Sequence, residues 1–341
     1  MVENAYFNAL ALAHGGDYKK LAGLLAVHTS WRAAWMRTKP MSETRTGTAF
    51  DALTTAGISL VLAGEEAFPP LLKEMPWPPH ALYVRGAPLE HDRPAIAIVG
   101  TRRASPAGKD LARRFASQLA ARGITIISGL ALGMDAAAHA GALEAGGKTI
   151  AVLAGGVNRI YPPQNDRLGK EILERGGSII SEYPLDMPTY PSRFIERNRI
   201  VSGLSRGVIV IEAPERSGAL ATARFALDQN RDVFVVPGPL ASSLYAGSHA
   251  LIKSGAALVT DTADILDALD LADVPGVAAH PAHLDAAEQA VFNTLQAAAG
   301  PLGADAIAAT CALPIETVSR TLGLLAVRGA VSERGGNYVI A

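Results

Sequence analysis

The sequence of 341 residues carries one cysteine, Cys311, which excludes an internal disulfide and any cysteine-rich zinc site. Such sparing use of cysteine fits a reducing compartment, and a cytoplasmic location is expected. Aromatic residues make up only 6%, too few for a long base-stacking platform. No apolar run approaches the roughly 20 residues of a membrane-spanning helix, so no membrane partner is expected. The opening Met1-Val2-Glu3-Asn4 has no basic stretch leading into an apolar one, so no signal peptide is expected. The formal net charge is −1, so any nucleic-acid site must arise from local clustering of charge. The eight histidines show no ligand spacing, and neither a metal nor a cofactor is expected. There is no G-x-G-x-x-G turn and no G-x-x-x-x-G-K-[ST] loop, which argues against standard dinucleotide or triphosphate binding.

What is present is ample core material, with 49% hydrophobic and 18% charged residues. The length predicts two or three domains. Residues 1–85 read as a helical region, with Phe7, Leu10, Leu21, Leu24 and Leu25 at helical spacing. They end in an extended, proline-rich connector containing Pro69-Pro70, Pro76 and Pro78-Pro79. Over 86–270 the pattern becomes strand, glycine-rich turn, helix, repeated. The strands are Ala95–Val99, Thr125–Ile127, Thr149–Leu153, Ser178–Ile180, Val208–Ile211 and Val233–Val236, with Ala256–Val259 a candidate seventh. Continuous apolar strands alternating with amphipathic helices predict an α/β fold, a Rossmann-like parallel sheet covered on both faces. A linker is expected over 271–284. Residues 285–341 offer helices at Asp285–Ala298, Ala304–Cys311 and Ile315–Val327, then a small hairpin around Arg334-Gly335-Gly336-Asn337, the pattern of a winged-helix domain.

Ligands of an open parallel sheet bind beyond the carboxyl ends of its strands. Those ends are Gly100-Thr101-Arg102-Arg103, Ser128-Gly129 through Gly133, Gly155-Gly156, Ser181-Glu182, Glu212 through Arg216-Ser217-Gly218, and Pro237-Gly238. Glycine lets backbone N–H groups approach an anion, and a following helix N-terminus adds partial positive charge. Each turn alone is explained by tight packing. Together with their arginines they predict an anion-binding rim, with Thr222 close by in the helix that follows Gly218. Between Pro88 and Thr260, Lys and Arg exceed Asp and Glu by roughly five. Contacts to phosphate carry no sequence information, so recognition independent of sequence is expected.

The segment Arg193–Leu204 reads as a helix in which Arg197 and Asn198 lie on or beside an apolar stripe and Arg199 points away. An arginine on a core-facing stripe needs a partner, and Glu182, Glu212 or a phosphate would each serve. Asp135 reads as a helix cap and His139 as a packed core histidine. Glu182 and Glu212 read as anchors for arginine before an acid/base pair. Tyr161 and Phe194 are candidates for an occasional base contact.

With these residues in view the chain resembles the DNA-processing protein A (DprA, also called Smf) family from about Gly57 to Leu266. The resemblance rests on Ala95–Arg102, on Ser128–Asp135 with His139, and on Gly147–Leu153, Tyr161-Pro162 and Ser181-Glu182. It continues through Arg197-Asn198-Arg199-Ile200, Ser217-Gly218 with Thr222-Ala223, and Val236-Pro237-Gly238. It implies a non-catalytic homodimer that binds and protects single-stranded DNA during natural transformation and loads the RecA recombinase onto it. It implies phosphate contacts at Arg102, Gly129, Arg197, Asn198, Arg199, Ser217 and Gly218. There are departures. Arg216 stands where the family often has lysine, and Ala219 where it usually has serine. The glycine hairpin of a helix-hairpin-helix is not found in residues 1–85. The C-terminal module, with only Arg320 beside Thr317 and Ser319 outward on its last helix, reads as a protein-contact or self-contact module before a duplex binder.

Two other functions compete. The core also looks like the lysine-decarboxylase-like nucleotide phosphoribohydrolases, but Phe225 falls where their catalytic glutamate would stand. A duplex-DNA regulator acting through the winged helix would bind specific sequences without residues 88–270.

Overall fold

A computed structural model describes residues 1–272, 285–298, 300–327 and 330–340. The expected linker over 271–284 lies almost wholly outside them. Four helices open the chain: α1 (Glu3–Ala13), α2 (Tyr18–Val27), α3 (Trp31–Thr38) and α4 (Glu43–Thr55). Asp17, Ser30 and Ser42 cap the last three, each accepting a backbone N–H from the first turn. Strand β1 (Ile58–Leu62), the single turn α5 (Pro70–Lys73) and β2 (Ala81–Gly86) follow.

These two strands correct the reading of this stretch as helical and then irregular. β1 pairs antiparallel with β2, and β2 pairs antiparallel with a strand of the main sheet. The prolines are confined to the connection between them, residues 63–80, where no ladder hydrogen bond is needed. β1 alternates between buried and more open positions, while β2 is continuously buried from Ala81 to Val84. Both patterns were legible, yet the intervening prolines hid them.

The remaining α/β elements are β3 (Ala95–Val99), α6 (Pro106–Ala121), β4 (Thr125–Ser128), α7 (Met134–Glu144), β5 (Thr149–Val152), α8 (Asp166–Glu174) and β6 (Ser178–Ser181). After them come α9 (Pro191–Gly203), β7 (Gly207–Val210), α10 (Gly218–Asp228), β8 (Asp232–Val235), α11 (Ala246–Lys253), β9 (Ala257–Leu258) and α12 (Thr262–Ala268). The nine strands lie in the order β1-β2-β6-β5-β4-β3-β7-β8-β9, parallel from β6 to β9. Strand order reverses between β3 and β7, the place where such sheets open a binding crevice.

The period-two geometry of the strands divides the core. In β3, Ala95, Ala97 and Val99 face a cluster with Ile200 and Val201 of α9 and Ala219 and Ala223 of α10. Ile96 and Ile98 face the other side, against Phe115 and Leu119 of α6 and Ala138 of α7. The N-terminal helices cover the β1/β2 end, packing Phe7, Leu10 and Trp35 with Tyr83 and Ile179. There the Tyr83 hydroxyl donates to Asn8 Oδ1 at 2.8 Å in a buried pair.

The last module has α13 (Ala286–Ala297), β10 (Leu302–Gly303), α14 (Ala304–Cys311), α15 (Ile315–Val327), β11 (Val331–Arg334) and β12 (Asn337–Ile340). The strands form a separate sheet in the order β10-β12-β11. Val291, Phe292, Ile307, Val318 and Leu322 make its core. Asp285 and Glu288 form a reciprocal capping box at the start of α13. No helix among the described residues is long and apolar enough to cross a membrane.

Candidate nucleic-acid interface

At the β3/β7 reversal a crevice of about 570 Å³ opens beyond the strand ends. Its walls come from three turns and one helix: Gly100–Arg103 after β3, Gly129 and Ala131 after β4, Arg216–Ala219 leading into α10, and one face of α9. Ten of the thirteen expected site residues line it: Gly100, Thr101, Arg102, Gly129, Arg197, Asn198, Arg216, Ser217, Gly218 and Thr222. Sequence reasoning did not single out Arg103, which lines the crevice beside Arg102. Its signal was its place in the same turn.

The turns are held by backbone and buried side chains. Thr101 N–H donates to the carbonyl of Glu212 at 2.7 Å, tying the end of β3 to that of β7. The Glu212 carboxylate accepts Ser105 N–H at 2.9 Å and also the Ser105 hydroxyl. Ser105 Oγ in turn accepts Gly108 N–H at 2.9 Å, capping α6. Ser217 caps α10 by accepting Ala219 N–H at 3.3 Å. The N-terminus of α10 therefore faces the crevice with its partial positive charge. Asn198 Nδ2 donates to Gly218 O at 3.3 Å and joins α9 to that terminus.

Arg197 forms the floor. It is 3% exposed, and its Nη1 donates to Gly129 O at 2.7 Å and to Val152 O. Its Nε is buried without a partner among the described residues. A Cβ on Gly129 would stand 2.4 Å from the Arg197 guanidinium, so a side chain there would force Arg197 to shift. Burial pushes the Arg197 guanidinium down to about 10; Asp135 opposes that fall and Arg102 adds to it. Arg197 thus stays charged at neutral pH. Among the described residues, Asp135 is the one acidic residue lining the crevice. Its Oδ2 accepts Gly129 N–H at 3.1 Å and Ala131 N–H at 3.3 Å. Burial raises its carboxyl above the usual range, against Arg197 and these two N–H groups. It is thus not the expected cap of α7: Gly133 holds the N-cap position, and Asp135 reaches back to the loop before the helix.

Arg102 is exposed, and its guanidinium lies 4.8 Å from the centre of the Phe194 ring. Phe194 sits 5.6 Å from Tyr161, centre to centre, so both candidate base-contact residues line the crevice. Arg103 and Arg216 are exposed as well.

Three expected residues lie elsewhere. Ser128 is fully buried and donates to Ile98 O at 2.6 Å, which satisfies the hydroxyl within the sheet. Gly133 has φ +83°, and a Cβ there would meet Thr101 O at 2.4 Å, so it serves the turn and does not line the crevice. Arg199 does not point to solvent. It is 6% exposed and forms a bidentate pair with Glu182, Nη1 to Oε1 at 2.7 Å and Nη2 to Oε2 at 2.6 Å. Successive helix positions turn about 100°, which carries Arg199 around α9 to the end of β6. The acid/base pairing of Glu182 with Glu212 also fails, since four strand spacings of about 4.8 Å separate β6 from β7.

His139 is a core histidine. Its Nδ1 bonds Thr149 Oγ1 at 2.7 Å while that hydroxyl donates to Ile126 O, so Nδ1 carries the proton. Burial lowers its pKa to about 3, with Arg197 adding to the effect.

The family described as DNA recombination-mediator protein A matches residues 59–270, and the DprA winged helix domain matches 276–337. Protein Smf of Escherichia coli is 47% identical over 210 residues, covering 62% of this chain and 56% of that protein. The chain thus matches little more than half the length of that relative. The structure of DNA processing protein A from Streptococcus pneumoniae aligns with a TM-score of 0.63 at 32% identity, over 78% of this chain and 93% of that one. DNA processing protein A from Helicobacter pylori, described by its single-stranded DNA binding mode, aligns with a TM-score of 0.56 at 33% identity, over 62% of this chain and 95% of that one. On these matches, over the α/β unit that carries the crevice and over the winged helix, the chain belongs to the DNA recombination-mediator protein A family.

Proposed function

We propose that the chain binds single-stranded DNA in the β3/β7 crevice by contacts to phosphate. The observation that carries this reading is the concentration of Arg102, Arg103, Arg197 and Arg216 around a crevice with one acidic residue, Asp135. The glycine turns and the N-terminus of α10 add N–H donors to the same place. Gly100, Thr101, Gly129, Asn198, Ser217, Gly218 and Thr222 supply backbone, hydroxyl or amide contacts, and Arg197 supplies charge from the floor. Ser128, Gly133 and Arg199 act in the fold. The single-stranded DNA binding of the H. pylori relative supports this assignment.

In this reading the protein is a cytoplasmic homodimer that protects incoming strands in natural transformation and loads RecA onto them, as its family implies. A binding role without catalysis fits the fixing of Asp135 by two backbone N–H groups. It also fits Phe225, which lies outside the crevice where a hydrolase would need its carboxylate.

The test is fluorescence anisotropy of labelled oligo-dT and of a matched duplex, with the parent chain and with Arg102→Ala/Arg216→Ala. These two arginines are exposed, so the double variant keeps its fold. Tight binding of the single strand, weak binding of the duplex and loss in the variant are expected. Equal affinity of variant and parent for oligo-dT would overturn the reading.

A further inference from the structure

Helix α9 separates the crevice from a second hollow. On its far side a cleft of about 790 Å³ is lined by Tyr18, Trp77, Tyr183, Tyr190 and Phe225, with the Arg199–Glu182 pair at its base. The chain is poor in aromatics, so five around one cleft is a marked concentration. Trp77 and Tyr190 are each 52% exposed, whereas the other two tryptophans, Trp31 and Trp35, are buried.

The tyrosine rings have fixed neighbours, and the backbone of Trp77 is restrained. Trp77 stands between Pro76 and Pro78-Pro79, which restrict its backbone. The Arg193 guanidinium lies 4.4 Å from the Tyr183 ring centre and 5.0 Å from that of Tyr190, and it donates to Pro188 O and Gly15 O. Tyr18 stacks on His80 with ring centres 4.7 Å apart and planes 11° off parallel. Trp77 and Tyr190 are the two rings of the cleft with large exposed area, and exposed rings on a restrained backbone suit planar ligands, because less ordering entropy remains to be lost on binding.

Charge separates the two hollows. The crevice has four arginines against Asp135. The cleft has Lys19, Arg193 and Arg199 against Asp17, Glu182 and Glu196, a balanced set that gives phosphate no net attraction. Residues along the start of α9 alternate between them: Thr189, Pro191 and Phe194 line the crevice, while Tyr190, Ser192 and Arg193 line the cleft. A helix with side chains is only about 10 Å across, so one strand can reach both.

We infer that the cleft takes nucleobases of the same DNA strand whose phosphates occupy the crevice, stacking them on Trp77 and Tyr190 as the strand crosses the N-terminus of α9. This rests on the proposed binding of single-stranded DNA. It makes binding depend on the presence of bases though not on their sequence, because every base has a face to stack.

The test uses the full chain with two probes of equal length, oligo-dT and an abasic deoxyribose-phosphate oligomer. The variants are Trp77→Ala, Trp77→Phe, Tyr190→Ala and Arg102→Ala/Arg216→Ala. Oligo-dT is expected to quench the Trp77 fluorescence, defined as the signal lost in Trp77→Phe, and the abasic oligomer to leave it unchanged. Trp77→Ala and Tyr190→Ala should each weaken oligo-dT binding by roughly tenfold, leave abasic binding intact, and Trp77→Phe should restore most of the loss. The arginine variant should weaken both probes alike. Full oligo-dT affinity in Trp77→Ala and Tyr190→Ala overturns the inference and turns the cleft over to another partner such as a protein segment. Equal losses on both probes also overturn it, because stacking needs bases. An arginine variant that binds normally while Trp77 is still quenched would instead sink the crevice reading and leave the cleft as the site.

Discussion

The crevice and the winged-helix module distribute their charge on opposite principles. The crevice gathers four arginines around one carboxylate, with glycine turns and a helix N-terminus among them. Residues 285–341 carry Arg320, Arg328 and Arg334 against Asp285, Glu288, Asp305, Glu316 and Glu333. On α15, Ser319 and Arg320 are exposed, Thr317 is half-buried, and Ile315 and Leu324 present apolar surface. A phosphate chain would be attracted to the first and repelled by the second, and the exposed apolar residues suit a protein contact. The difference teaches that overall charge says little about nucleic-acid binding. What counts is whether arginines converge without carboxylates to neutralise them.

The largest test of this contrast is to strip each surface of charge. Arg102→Ala/Arg216→Ala is expected to lower oligo-dT affinity about a hundredfold or more, from ~1.5–3 kcal/mol per charged hydrogen bond. The slope of log affinity against log salt should flatten by about 0.7 for each phosphate contact removed. Salt titrations with an unchanged slope would show that these arginines touch no phosphate.

Glycine geometry gives the next test. Gly129→Ala drives a methyl into the Arg197 guanidinium and should cost about 1–3 kcal/mol of stability. Gly218→Ala meets nothing within 4 Å and should stay within ~1 kcal/mol of the parent. Denaturant midpoints measure both. Equal midpoints would remove Arg197 from its place against Gly129.

Acid separates the regions further, because residues 285–341 contain no histidine. His139 has a pKa of about 3 in the fold and about 6.5 when unfolded, so the unfolded chain binds the extra proton between those values. Its contribution to stability is therefore complete above about pH 6.5 and falls toward pH 3 by at most ~1.4 kcal/mol per pH unit. Asp135, raised by burial, works in the opposite sense by taking up a proton in the folded state first. Unfolding curves of the parent and of His139→Asn across this range should differ in slope. Parallel curves would show that His139 protonates as freely in the fold as in the unfolded chain.

The smallest expected effect is at the winged helix. Arg320→Ala should change oligo-dT affinity less than about twofold, as one exposed charge in an acidic module. A tenfold loss would move part of the interface to α15.

Much of this was open to sequence reasoning. The apolar runs at Ala95–Val99 and Val208–Ile211 gave buried strands because a strand covered on both faces must be apolar throughout. The glycine turns could be placed at the strand ends for the same reason, and ten of the thirteen proposed residues meet in one crevice. The three helices of the winged module followed from their period. Strands β1 and β2 were missed because they pair antiparallel at the sheet edge and are separated by prolines.

The site residues divided along a different line. Sequence determined that Arg197 must find a partner, since its helix stripe is apolar. Only the tertiary structure decided that the partners are the carbonyls of Gly129 and Val152. Sequence likewise put a carboxylate at the end of β6, but strand order alone brought Glu182 under Arg199 and kept it away from Glu212. Local chemistry is written in the order of residues. Which arginine is neutralised and which stays free for an anion depends on distances between residues far apart in the chain, and those are set by strand order and packing.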